Sequence, residues 1–137
     1  MYSKEEIMSI IESEGNTHSF TYRGINCSMK RNSLLVWCGY MDVPEEVIME
    51  IYVHGGITYD NIEENGLRRY GFDCGHLHDL VPYTLELDSF PRASFVDTDI
   101  YRTKTYDILE TKGMVDQVMD TQWALKIIRN YKLSNLL

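Results

Sequence analysis

Three of the four histidines fall in two short motifs, His54-Gly55-Gly56 and Asp73-Cys74-Gly75-His76-Leu77-His78-Asp79. Imidazole titrates near neutrality and can take or give a proton, and a neighbouring carboxylate can hold its tautomer. Two imidazoles facing one phosphate suffice for phosphodiester cleavage without a metal. In such an enzyme His54 and His76 would be base and acid, with Asp73 or Asp79 orienting one of them. Any single histidine here has a plainer alternative role, bonding buried backbone. Titratable groups gathered beside flexible glycines nevertheless point to a site. Zinc competes for the same residues, since His54, Asp73, Cys74, His76, His78 and Asp79 are all possible ligands. Structural zinc sites bring ligand pairs from two places, whereas the second place here offers His54 alone, so no metal is expected. Cys74 could act as a nucleophile beside a histidine, but a small buried thiol at the end of a strand is the simpler reading.

The other polar residues suit ligand binding better than a named reaction. Gly55-Gly56 followed by Ile57-Thr58-Tyr59 offers backbone N–H groups and a hydroxyl of the kind that approach phosphates. Positive charge clusters at Arg68-Arg69 and at Arg92, Arg102 and Lys104, and arginine forks suit a phosphate. Ten tyrosines could supply stacking faces for a nucleobase. The candidate ligand-binding set is therefore His54, Gly55, Gly56, Thr58, Tyr59, Asp73, Cys74, His76, Asp79 and Arg102. Neither a Walker motif nor a Rossmann fingerprint is present, and no cofactor is expected.

The elements that must position these residues read as an α+β chain: a small antiparallel sheet, an N-terminal helix and a longer C-terminal helix. Ser3 with Glu6 is a capping-box pattern, and Ile7, Met8, Ile10 and Ile11 follow at helical spacing up to Gly15. From Ser19 to Tyr40, aromatic and β-branched residues predict two or three antiparallel strands, with Lys30-Arg31-Asn32-Ser33 as a hairpin turn. Alternation from Met49 to His54 predicts another strand, Arg68 to Cys74 a further one, and Asp79 to Thr98 a loop. The strands ending at His54 and Asp73 should lie side by side, so that the two motifs meet at one end of the sheet. From Tyr101 onward the pattern is helical, with Val115, Met119, Trp123 and Ile127 on one ladder and Ala124, Ile128 and Tyr131 widening it.

Composition bounds the partners. At 137 residues, with 44% hydrophobic and 25% charged residues, the chain is expected to form one domain with a real core. A net charge of −8 disfavours extended nucleic acid and anionic membrane surfaces, although a local basic patch could take a small anion. No apolar run approaches the roughly 20 residues of a membrane span, and the first residues lack signal-peptide character, so a cytoplasmic location is expected. Three widely spaced cysteines, Cys27, Cys38 and Cys74, fit reduced thiols.

Four stretches in order, Tyr22-Arg23-Gly24-Ile25-Asn26-Cys27, Trp37-Cys38-Gly39-Tyr40 with Val43-Pro44, Val53-His54-Gly55-Gly56-Ile57-Thr58-Tyr59, and Gly71-Phe72-Asp73-Cys74-Gly75-His76 with Asp79, make the chain similar to a small protein family common in bacteriophages and prophages. The likeness runs from Phe20 to Asp79, with a weaker echo at Tyr101-Arg102. This chain is shorter than the family pattern between its Val-Pro and His-Gly-Gly motifs, and Arg69-Tyr70 stands where a pair of tryptophans is typical. The family is mostly without assigned function. By analogy of genomic type, the resemblance implies an anti-defence protein acting on nucleotide immune signals such as cyclic ADP-ribose isomers or cyclic dinucleotides. The expectation is a binding protein in the infected host's cytoplasm that sequesters such a small ligand, with homo-oligomerisation left open. The alternative is a metal-independent phosphodiesterase using His54 and His76. A protein–protein inhibitor ranks last, because the acidic charge is spread rather than aligned.

Overall fold

The computed structural model describes residues 3–86 and 99–136. It is α+β, as the patterning predicts: helix α1 (Lys4–Glu14), strands β1 (Thr17–Tyr22), β2 (Ile25–Arg31), β3 (Trp37–Val43), β4 (Tyr59–Ile62) and β5 (Arg68–Asp73), then helices α2 (Lys104–Met119) and α3 (Gln122–Leu136). The five strands form one antiparallel sheet in the order β1-β2-β3-β5-β4. Ser3 caps α1 by accepting the Glu6 N–H at 3.1 Å, the first half of the expected capping box.

Strand alternation puts Ile25, Cys27 and Met29 of β2, Met41 and Val43 of β3, and Tyr70 and Phe72 of β5 on one face. That face is closed by Met114, Val115 and Val118 of α2 and by Ala124 and Ile128 of α3. At Gly39 there is no room for a side chain, because Asp107, Thr111 and Phe72 occupy the space a Cβ would need. Thr111 and Asp107 extend the apolar stripe of α2 by one and two turns respectively, so a carboxyl group is fully buried between helix and sheet. The opposite sheet face carries Ser28, Lys30, Tyr40, Asp42, Arg69 and Tyr59.

A second cluster, of Ile7, Ile11, Leu80, Leu85 and Tyr101, packs α1 against the segment that follows the Asp79 motif. Glu14 ties these parts together by accepting hydrogen bonds from Arg31 (2.9 Å), Tyr101 (2.5 Å), the Trp37 indole (3.3 Å) and the Lys104 N–H (2.6 Å). Burial alone would raise the Glu14 carboxyl, but these donors outweigh it and hold it below its ordinary value.

Four local expectations need correction. Met49–His54 is not a strand, and its last residue lies in a turn. Its polar groups go to side chains instead: the Tyr70 hydroxyl accepts Met49 N–H and donates to Val47 O, Gln117 brackets Tyr52 through N–H and C=O, and Glu110 accepts His54 N–H. The strand beside β5 is β4, on the far side of Gly55-Gly56. The hairpin turn lies at Asn32–Leu35, where Leu35 takes φ +64°, while Lys30 and Arg31 remain in β2. Finally, the C-terminal helix is two helices. Asp120 caps α2, the Thr121 hydroxyl bonds back to Gln117 O, and Thr121 O receives Leu125 N–H to start α3. The ladder therefore breaks between Met119 and Trp123, leaving Trp123 and Tyr131 exposed. Within the expected loop Asp79–Thr98, Pro82–Glu86 forms a short 3₁₀ turn, and positions 87–98, Arg92 included, lie outside the described residues.

Candidate functional site

Val53 O accepts Gly56 N–H at 2.9 Å, closing a β-turn with His54 and Gly55 at its centre. Gly55 takes φ +68°, and its α-carbon lies so close to the His76 ring that a Cβ would overlap it. Glycine is needed there on both counts. The Gly56 N–H is consumed by the turn and is not offered to a phosphate. On the other side, Cys74 N–H still bonds Trp37 O, after which the chain leaves the sheet, and Asp79 N–H closes a tight turn on His76 O. A parallel bridge between Asp79 and Ile100 then brings Tyr101-Arg102 alongside.

The two motifs meet, with the His54 and His76 ring centroids 6.0 Å apart. Asp79 stands at the centre, its side chain fully buried. Its Oδ2 accepts from His54 Nε2 at 2.6 Å and from His76 N–H at 3.0 Å, and its Oδ1 accepts from Arg102 Nε at 2.8 Å. Burial would raise this carboxyl, but the bonds from Arg102, His54 and the His76 N–H overcome that and hold it below its ordinary value. Asp79 is therefore a carboxylate at neutral pH, so His54 Nε2 carries the proton in the bond between them. The Tyr106 hydroxyl is hydrogen-bonded to Nδ1 at 2.8 Å. Both ring nitrogens of His54 are thus engaged. Whichever group donates, the Tyr106 oxygen keeps a lone pair beyond its bond to His54, which can accept from a group bound beside it. Arg102 stacks over the Tyr106 ring at 4.8 Å, and among the described residues its two terminal nitrogens take no hydrogen bond.

His76 is held differently. Its Nε2 is buried 3.2 Å from Asp73 Oδ1 but too poorly aligned for a hydrogen bond. Asp73 accepts from Gly75 N–H and from the Thr58 hydroxyl, so Thr58 and Asp73 brace the outer side of this histidine. A cleft of about 450 Å³ shares Val53 and Gly56 with the turn and is also lined by Met49, Tyr52, Asp60 and Tyr70.

Of the predicted set, His54, Gly55, Gly56, Thr58, Asp73, His76, Asp79 and Arg102 come together. Cys74 does not join them: its side chain is buried in the core, and burial pushes its thiol well above the ordinary range. Tyr59 bonds Glu63 and packs edge-on to Tyr40 on the opposite sheet face. His78 is exposed and takes φ +70°. Arg68 is committed to Asp60 and Arg69 to a two-pronged pair with Asp42. Cys27, Cys38 and Cys74 are all unpaired and buried. Among the described residues, no group of three or more His, Cys, Asp or Glu side chains is placed to hold a metal ion.

Sequence reasoning missed Tyr106 and Glu110. The signal was present, since Arg102, Tyr106 and Glu110 recur every four residues and so fall on one side of α2 and its leading turn. No protein-family model, curated protein or solved structure matches the chain. No helix of the described residues is long and apolar enough to cross a membrane.

Proposed function

We propose that this protein binds and sequesters a small nucleotide-derived ligand, and that it does so as a phage protein countering a host immune signal of the cyclic ADP-ribose or cyclic dinucleotide type in the host cytoplasm. The observation that carries the reading is the full engagement of His54, whose two ring nitrogens are taken up by Asp79 and Tyr106. A general base needs a free lone pair facing the proton it removes. His54 instead serves as a strut that holds a hydroxyl acceptor and a guanidinium side by side. Arg102 suits a phosphate, and Tyr106 a ribose hydroxyl or an exocyclic amine. The resemblance to phage proteins supplies the biological setting. Cleavage by His54 and His76 is the second reading. It is favoured by the 6.0 Å approach of the two rings, and it requires His54 to exchange Tyr106 for the ligand.

One experiment separates the two. Purified protein is titrated calorimetrically with a panel of cyclic dinucleotides and cyclic ADP-ribose isomers, then heat-denatured, and the supernatant is resolved by mass spectrometry. Recovery of intact ligand after saturable binding supports sequestration, linearised product supports cleavage, and no heat with any panel member rejects both.

A further inference from the structure

The two edges of the sheet are built differently. β4 is four residues long and carries Asp60, bonded by Arg68, which are features that discourage pairing with another chain. β1 is six residues of Thr-His-Ser-Phe-Thr-Tyr, without Asp, Glu, Lys, Arg, Pro or Gly. Bonded and non-bonded positions alternate along an antiparallel pair. Arg31 N–H donates to Asn16 O at 2.9 Å, so Asn16 opposite Arg31 is a bonded position. Counting along the register, His18, Phe20 and Tyr22 turn their N–H and C=O groups to β2, whereas Thr17, Ser19 and Thr21 turn theirs outward. All three outward residues are exposed. Among the described residues nothing bonds their backbone groups.

This outward set is self-complementary. With a two-fold axis at Ser19, Thr17 faces the partner's Thr21, Ser19 faces the partner's Ser19, and Thr21 faces the partner's Thr17. Those are three bonded pairs of two N–H···O=C bonds each, six in all. His18 comes opposite the partner's Phe20, joining two ring types that already stack at 5.7 Å within one strand. No like charges meet among the six paired residues. We propose that two copies of this chain join β1 to β1, antiparallel about Ser19, into one continuous ten-stranded sheet.

Sedimentation velocity on the full chain tests this, with a dilution series reaching about 1 μM, where a dimer of moderate affinity begins to dissociate. The expected species is about 32 kDa, twice the 16.0 kDa of one chain. Ser19→Pro removes an N–H that bonds nothing within the monomer, and should raise the dimer dissociation constant about tenfold to a hundredfold. Ser19→Lys keeps that N–H and sets two ammonium groups face to face, which should weaken the dimer severalfold. Circular dichroism checks that each variant folds, and either one that folds suffices. Hydrogen exchange at dimer concentrations should show the Thr17, Ser19 and Thr21 amides slowed at least tenfold relative to the monomer. A single 16.0 kDa species at every concentration overturns the proposal. So does a dimer that a folded Ser19 variant leaves unchanged, or one in which those three amides exchange freely. A wild-type chain that stays monomeric alone and captures a foreign extended peptide would likewise refute self-pairing.

Discussion

The carboxyl group of Asp107 gives a direct test of how the helix layer meets the sheet. Its side chain is fully buried against Gly39, Oδ1 accepts from Thr111 at 3.0 Å, and among the described residues Oδ2 has no partner. Burial pushes its pKa up to about 7 from 3.8, against the lowering effect of the Thr111 bond, and the Glu110 charge adds to the rise. Below pH 3.8 the group is protonated in both the folded and the unfolded chain, and its contribution is fully present. Between there and about pH 7 the unfolded chain releases the proton and the folded chain keeps it, so stability falls as pH rises. Three pH units at about 1.4 kcal/mol each give a loss of about 4 kcal/mol by pH 7, after which the curve levels. Asp107→Asn imitates the protonated carboxyl and removes this slope. Glu14 and Asp79, whose carboxyls are lowered, act in the opposite sense and lose stability as pH falls. The informative quantity is therefore the wild-type unfolding free energy minus that of the variant, taken from urea titrations followed through the buried Trp37. That difference should move by about 4 kcal/mol in favour of the variant between pH 4 and pH 7.5. A difference constant to within about 1 kcal/mol would show that Asp107 is solvated or paired, and the account of this interface would fail.

Replacing His54 by Ala or Tyr106 by Phe removes one or two hydrogen bonds from the site, each of about 1–3 kcal/mol where a buried partner is left unmet, so ligand affinity measured by calorimetry should fall about tenfold to a hundredfold. A folded His54→Ala protein with unchanged binding would make the histidine purely structural. Gly55→Ala places a Cβ against the His76 ring at positive φ, costing on the order of 1–3 kcal/mol in urea titrations and shifting the His76 ring resonances. Unmoved resonances would mean that the ring is not held against the turn.

Much of this architecture is legible from residue patterns. The Ser19–Tyr40 region alternates because one face of β1–β3 is covered and the other is open, and that is what an antiparallel meander requires. Reading glycines as points where the chain leaves the sheet holds after Cys74 but not at Gly55-Gly56, which ends no strand, so His54 reaches His76 from a turn and not from a paired strand end. The same alternation misleads at Met49–His54, because it reports one-sided burial and not ladder pairing, and an arm lying on α2 buries Ile51 in the same rhythm. β4 holds Asp60 and Asn61, turn-type residues, and is a strand because β5 pairs with it. Asp107 reads as a solvated helix residue, since nothing local signals that Gly39 leaves it a place in the core. Asp120-Thr121 offered a stop-and-start signal that the longer hydrophobic ladder obscured.

The arm from Pro44 to Thr58 is fastened to the body by hydrogen bonds with the side chains of Tyr70, Gln117, Glu110 and Arg68 and with Gly71 O, and by Val47 and Ile51, which are buried in the main core. Detaching it breaks those bonds and the bonds of His54 to Asp79 and Tyr106, and it exposes Val47 and Ile51 to water, while the rungs between β2, β3 and β5 stay intact. Its opening free energy therefore includes the burial of two core side chains as well as the hydrogen bonds. His54 travels with the arm while Asp79 and Arg102 stay behind. The site is thus a clasp with one half on the arm and the other on the body, and a molecule held between them would be felt as slowed hydrogen exchange along the arm.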